Sequence, residues 1–132
     1  MKLVAFDPGG TTGYAVFVDT LIGEVGHKKW EEPVLDWINS LTADLFVVED
    51  FLIQTDRLNR WNKGEALQVI GAIKARARAI GIQVVLQQPS IKPVAYAWSN
   101  AKYTKGKKGQ HHMDALVHGN YYLIKNKLKL PG

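Results

Sequence analysis

The sequence predicts an α/β fold in which helices flank a mixed five-stranded sheet. Residues 3–6, within a predicted strand at 2–7, and residues 45–48, at the start of 45–50, are apolar at consecutive positions, which is typical of central strands that are covered on both faces. Between residues 66 and 80, apolar residues recur with helical spacing instead. The resulting element order is βββαβαβαα, with the first three strands forming an antiparallel meander.

The first half of the chain predicts the meander, a helix and the fourth strand. Proline, glycine and threonine directly after the first strand predict a tight turn, and a second turn separates the next two strands. The predicted strands are residues 2–7, 14–18, 24–30 and 45–50, the turns are 8–13 and 19–23, and the helix is 33–41.

The second half predicts a long amphipathic helix, a fifth strand and two further helices. The apolar face of the long helix consists of Ala66, Val69, Ile70, Ile73, Ala77 and Ile80, and Gly81 can end it. The other predicted elements are a loop at 54–63, a strand at 82–86, a short helix at 90–97, a lysine- and glycine-rich loop at 99–109 and a closing helix at 110–125.

The composition is that of an ordinary globular protein of 132 residues, 46% hydrophobic and 22% charged. This length suits one core, so we interpret residues 1–132 as a single domain. No apolar run approaches the roughly 20 residues of a membrane span, and the first strand reaches Asp7 too early for a secretory signal. The lack of cysteine excludes disulfides and thiolate metal sites. We expect a cytoplasmic protein with no membrane partner.

Charge is divided unevenly along the chain. Residues 1–65 carry six Lys/Arg and eleven Asp/Glu, a net charge of −5, whereas residues 66–132 carry eleven Lys/Arg and one Asp, a net charge of +10. A surface of one sign attracts a polyanion such as nucleic acid. The alternative is a solvated basic face.

Three carboxylates stand where the predicted elements can bring them together. Asp7 ends the first strand, Glu49 ends the fourth, and Asp114 lies near the start of the last helix. A right-handed crossover would make the two strands neighbours. His111 and His118 share the helical face of Asp114, since they lie three residues before it and four after it.

Clustered carboxylates repel one another unless a cation lies among them, and hard divalent cations prefer oxygen ligands. Two such ions about 4 Å apart can activate water and stabilise the leaving oxygen of a phosphodiester. Simpler interpretations are a turn former for Asp7, a solvated strand end for Glu49 and a helix-dipole charge for Asp114. Asp50, on the opposite face from Glu49, is a rival candidate.

Three short motifs lie in order along the chain: FDPGGTTGYA at residues 6–15, VVEDF at 47–51 and HHMDAL at 111–116. Together they resemble the motifs of the RuvC resolvases, which belong to the RNase H-like superfamily. Residues 6–15, FDPGGTTGYA, resemble the opening motif, in which the first strand ends in Asp-Pro-Gly. Residues 47–51, VVEDF, look like the fourth-strand glutamate and its following aromatic residue. Residues 111–116, HHMDAL, are similar to the last-helix signature, and residues 88–92, QPSIK, follow the family's order. The resemblance spans nearly the whole chain and implies an RNase H-like fold.

The resemblance also implies a Holliday-junction resolvase that uses two magnesium or manganese ions per active site. Such an enzyme acts as a homodimer, makes paired cuts in a four-way junction and needs no small-molecule cofactor. The metal-binding and catalytic residues implied are Asp7, Glu49, His111 and Asp114. Phe51 or Leu52 would wedge at the branch point, and Lys92 would face the DNA backbone.

Further contacts are predicted outside the motifs. We expect Lys102, Lys105, Lys107 and Lys108 to bind phosphates. The helix at 66–80 is a candidate dimer interface because its small residues permit close approach; the alternative is that its apolar stripe only covers the sheet.

Two departures from the cellular resolvases leave alternatives open. The stretch between Asp7 and Glu49 is short, and only eighteen residues separate Lys92 from His111, which looks like the compact phage-borne members. Cleavage of flaps or forks, RNA processing of the YqgF type, and a non-catalytic DNA-binding module are therefore alternatives. An actin-like phosphate-binding protein would need two such domains and a cleft.

Overall fold

The computed structural model describes residues 1–29, 33–50, 60–88, 91 and 111–126, with only the backbone described for residues 60–63 and 111. The strands are β1 (Lys2–Asp7), β2 (Thr11–Val18), β3 (Leu21–Lys29), β4 (Leu45–Glu49) and β5 (Gln83–Gln87). The helices are α1 (Val34–Ser40), α2 (Arg60–Ile80) and α3 (His111–Lys125).

The five strands form one mixed sheet in the order β3-β2-β1-β4-β5. β1 pairs antiparallel with β2, and β2 pairs antiparallel with β3, whereas β4 runs parallel to β1 and β5 runs parallel to β4. The predicted fold class is confirmed, including the antiparallel arrangement of the first three strands. Because β1, β4 and β5 are parallel, their carboxyl ends meet at one edge of the sheet.

The two faces of the sheet bury separate apolar clusters. α1 and α2 cover the face that carries Val4, Phe6 and Phe46. α3 covers the opposite face, which carries Leu3, Ala5, Ala15, Phe17 and Val47. β1 and β4 supply both clusters, as their continuous apolar sequences predicted.

The apolar stripe of α2 is buried within the chain. Five of its side chains are at most 5% exposed: Ala66, Val69, Ile70, Ile73 and Ala77. The interpretation that the stripe covers the sheet is therefore confirmed, and these side chains do not form an exposed dimer surface. Leu67 lies outside the stripe and is 46% exposed.

The structure corrects several predicted boundaries. Asp19 and Thr20 have positive φ angles of 51° and 71°, as in a two-residue type I′ turn, so β3 begins at Leu21 and not at residue 24. α2 begins at Arg60, so the last four residues of the predicted 54–63 loop are helical. The helix predicted at 90–97, apart from Ile91, and the loop predicted at 99–109 lie outside the described residues.

α3 comes unusually close to the sheet at Gly119. A Cβ atom added there would overlap the ring of Phe17 on β2 and lie 2.7 Å from its Cζ atom. Glycine is unfavourable in a helix interior, and here it permits a contact that no other residue would allow. This close approach brings the side chains of α3 down onto the sheet. No described helix is long and apolar enough to cross a membrane.

Candidate active site

A row of aligned residues, four of them polar, crosses the sheet at the carboxyl ends of its parallel strands. β1 and β4 pair up to Phe6 and Val48, so Asp7 and Glu49 occupy the next position on each strand. β2 and β3 continue the row on one side, and β5 continues it on the other. From β3 to β5 the row consists of His27, Gly13, Asp7, Glu49 and Gln87.

The two carboxylates of this row lie on the face that α3 covers. Side chains alternate along a strand, so Asp7 shares the face of Leu3 and Ala5, and Glu49 shares the face of Val47. Asp7 is 2% exposed and Glu49 is fully buried. Burying two acids on adjacent strands is costly unless hydrogen bonds or a cation offset the loss of hydration.

Part of the compensation for Glu49 comes from α3. The imidazole of His118 is fully buried, and its Nε2 atom lies 3.2 Å from Oε1 of Glu49. On its other side, the Nδ1 atom of His118 lies 3.0 Å from Nε2 of Gln87. The same Gln87 nitrogen donates a hydrogen bond of 3.0 Å to the main-chain carbonyl of His118. Glu49, His118 and Gln87 therefore form a buried chain of hydrogen bonds from β4 through α3 to β5.

The side chain of Thr12 stabilises the turn that follows Asp7. The hydroxyl of Thr12, which is fully buried, donates to the carbonyl of Gly9 at 3.3 Å and accepts from the amide of Gly9 at 3.4 Å. These bonds support the Pro-Gly-Gly turn that directs the chain from β1 into β2. The pairing of β1 with β4, which runs to Phe6 and Val48, places Asp7 next to β4.

The other two predicted ligands lie on α3. Asp114 is half-buried and precedes His118 by one helical turn, so both project from the same side of the helix. The start of α3 lies at this end of the sheet, since the ring of His112 is 6.3 Å from that of His27. The backbone of His111 is helical, and its side chain is not described.

The chemistry of the site suits a divalent cation. Carboxylate oxygens are the ligands that Mg²⁺ and Mn²⁺ prefer. Oδ1 of Asp7 and Oε2 of Glu49 are buried atoms to which the described residues donate no hydrogen bond, although both side chains have other interactions. Within the described residues, no three His, Asp or Glu side chains form a group that could hold a metal. The structure places Asp7 and Glu49 at adjacent strand ends, and Asp114 on α3 one turn before His118, which contacts Glu49.

The predicted DNA-contacting residues lie outside the described part of the chain. They are Phe51, Leu52, Lys92, Lys102, Lys105, Lys107 and Lys108. Of the basic residues on α2, Lys74 and Arg78 are exposed, whereas Arg76 donates through Nε to the carbonyl of Leu41 at 2.8 Å. Arg76 thus holds the end of α1.

The sequence places His118 on the helical face of Asp114, but the contact of His118 with Glu49 and the part played by Gln87 emerge only from the structure. The signal for His118 was its spacing of four residues from Asp114. Gln87 had no such signal, because its place beside Glu49 depends on the register between β4 and β5.

Comparison with solved structures identifies the fold. Thermus thermophilus RuvC in complex with a Holliday-junction substrate superposes with a TM-score of 0.66 at 15% identity, covering 97% of this chain and 96% of that chain. A second Thermus thermophilus RuvC structure gives 0.58 at 16% identity, covering 95% and 97%. No family model and no curated protein sequence matches the chain. The protein has the RNase H-like fold of RuvC, as its motifs predicted.

Proposed function

We propose that this protein is a metal-dependent, structure-selective endodeoxyribonuclease that resolves four-way DNA junctions. The observation that carries the proposal is the pair of buried carboxylates, Asp7 and Glu49, at neighbouring strand ends of a RuvC fold. Burying two adjacent acids is costly, and a bound cation would offset that cost. The solved RuvC complex holds a Holliday-junction substrate, which supports branched DNA as the substrate class.

Asp7, Glu49, Asp114 and His111 would hold two magnesium or manganese ions. When bound, such ions activate a water molecule and stabilise the leaving oxygen of the phosphodiester. The chain contributes the arrangement of the ligands. β1 and β4 hold the first two carboxylates at adjacent strand ends, and α3, which packs closely on the sheet at Gly119, would supply Asp114.

The basic half of the chain would bind the DNA backbone. Lys74 and Arg78 are exposed on α2, and the lysines of the predicted 99–109 loop would add phosphate contacts. These are Lys102, Lys105, Lys107 and Lys108. Lys92 would face the backbone, and Phe51 or Leu52 would act at the branch point.

Paired cuts require two active sites, and each chain supplies one pair of carboxylates, Asp7 and Glu49. We therefore propose a homodimer with two-fold symmetry. Since the apolar stripe of α2 is buried, a dimer that uses this helix would use its outer face, where Leu67 is exposed. We further propose that the chain acts as a single domain in the cytoplasm.

Substrate selectivity tests the proposal. Purified protein is incubated with Mg²⁺ and end-labelled DNA in five forms built from the same sequences: a four-way junction, a flap, a fork, a linear duplex and an RNA–DNA hybrid. We expect the four-way junction to be cut fastest and in opposing strands. Faster cutting of the flap or fork would show that this branched form, and not the four-way junction, is the preferred substrate. Preference for the hybrid would favour RNA processing, and equal cutting of the linear duplex would contradict structure selectivity.

A further inference from the structure

The hydrogen-bond chain beside the two carboxylates defines which ring nitrogen of His118 carries a proton. Its three members come from different elements: Glu49 from β4, His118 from α3 and Gln87 from β5. Two side-chain contacts link them. Nε2 of His118 lies 3.2 Å from Oε1 of Glu49, and Nδ1 of His118 lies 3.0 Å from Nε2 of Gln87. All three side chains are at most 8% exposed, so water does not compete for these bonds.

The orientation of the Gln87 amide is fixed by a main-chain group. Its nitrogen lies 3.0 Å from the carbonyl oxygen of His118, which can only accept a hydrogen bond. Reversing the amide would place two oxygens against each other. The amide group has two hydrogens, so one points to this carbonyl and the other is available to Nδ1 of the same histidine.

It follows that Nδ1 of His118 is the acceptor and carries no proton. A neutral imidazole then has its proton on Nε2, where it donates to Oε1 of Glu49. A doubly protonated ring would direct an N–H group at the amide hydrogens of Gln87. The contact with Glu49 is therefore a hydrogen bond from the neutral Nε2–H tautomer to a carboxylate.

The strand β5 also holds the residue that follows Glu49. The amide of Asp50 donates to the main-chain carbonyl of Gln87 at 2.8 Å. Gln87 thus fixes β4 through its main chain and His118 through its side chain. With its backbone and Oε1 both held, the carboxylate of Glu49 has little freedom to rotate.

We propose that His118, oriented by Gln87, is a positioning residue that holds the Glu49 carboxylate in its metal-binding orientation. The proposal rests on the proposed function, because it takes Glu49 as a metal ligand. Partners of this kind around a metal ligand change metal affinity by about 10- to 100-fold when removed. A buried hydrogen-bond chain that only stabilised the fold would leave the metal affinity of the folded protein unchanged.

Binding of Mn²⁺ to the DNA-free protein, measured by calorimetry, separates the two roles. We expect His118→Leu to weaken Mn²⁺ affinity by about 10- to 100-fold. His118→Gln should retain most of the affinity, because the terminal amide nitrogen of glutamine reaches the position of imidazole Nε2. His118→Asn, whose amide reaches only the position of Nδ1, should behave like the leucine variant. Ile38→Val, which alters a fully buried side chain beneath the other face of the sheet, should not change Mn²⁺ affinity.

The tautomer is tested in the wild-type protein by nitrogen–proton correlation spectra of the imidazole rings. We expect the His118 proton on Nε2, and we expect Gln87→Leu to produce a mixture of tautomers. A proton on Nδ1 in the wild type would overturn the inference. This measurement remains decisive if His118→Leu fails to fold, as does the comparison of the glutamine and asparagine variants.

The Glu49→Gln variant shows whether a negative result contradicts the role of His118 alone or the proposed metal site as well. If Glu49→Gln loses Mn²⁺ affinity and His118→Leu and His118→Asn keep it, His118 does not position the ligand, and the proposed metal site stands. If Glu49→Gln binds Mn²⁺ as the wild type does, Glu49 is not a ligand, and both the metal site and the role of His118 are wrong.

Discussion

Replacing Glu49 by glutamine is expected to reduce cleavage of branched DNA by roughly 10³-fold, with DNA binding retained or tighter. The substitution removes a metal-binding oxygen, and a bound metal supplies several kcal/mol of transition-state stabilisation, each 1.4 kcal/mol being tenfold in rate. It also removes a negative charge that faces the phosphates. We expect the same result for Asp7→Asn and Asp114→Asn. Single-turnover cleavage and gel-shift binding measure the two effects separately.

Asp50→Asn is the matched control for the loss of cleavage in Glu49→Gln. Asp50 is adjacent to Glu49 and only 5% exposed, so both substitutions replace a buried carboxylate by an amide. Successive side chains of a strand point to opposite faces, and Asp50 should therefore tolerate the change without loss of cleavage. If Asp50→Asn is inactive and Glu49→Gln is active, the catalytic role belongs to Asp50.

Gly119→Ala is expected to destabilise the protein by about 2–3 kcal/mol, the cost of overpacking a closely packed core. The added methyl group would overlap the ring of Phe17, which is 1% exposed. α3 would have to lift from β2, and Asp114 and His118 would move away from the carboxylates of β1 and β4. Denaturant unfolding measures the loss of stability, and cleavage by the remaining folded protein should also fall.

The control substitution, Gly71→Ala, should change the free energy of unfolding in the opposite direction. Gly71 lies in the interior of α2 and is exposed, and a methyl group added to its Cα atom would have no neighbouring atom within 4 Å. Alanine should therefore stabilise α2 by about 0.5–1 kcal/mol through helix propensity alone. Equal effects at the two glycines would show that close packing of α3 on β2 does not explain Gly119.

The elements with buried apolar patterns were predictable from sequence, and the exposed ones were less so. β1 and β4 are apolar on both faces because helices cover both sides of the sheet. β3 is largely exposed along its length, so its first residues carry no apolar alternation, and its start is set by pairing with β2. The first turn of α2 lacks the apolar stripe that marks the rest of the helix.

The proximity of Asp7 and Glu49 was predictable because each acid ends an apolar strand, and the crossover between the strands made them neighbours. The contacts of His118 were not predictable in the same way. They depend on the rotation of α3 about its axis and on the register of β5, which are set by packing at Gly119 and by pairing with β4.

The central claim, that this sheet edge uses divalent cations to cut branched DNA, is tested most directly by cleavage of a four-way junction during a Mg²⁺ titration. Metal-free wild-type protein is bound to a junction whose four strands are labelled separately, and Mg²⁺ is then added in steps. We predict no cutting in the presence of EDTA, and cuts in two opposing strands that increase with Mg²⁺ concentration. Cleavage in EDTA, or a bound junction that stays intact with both Mg²⁺ and Mn²⁺, would contradict the claim.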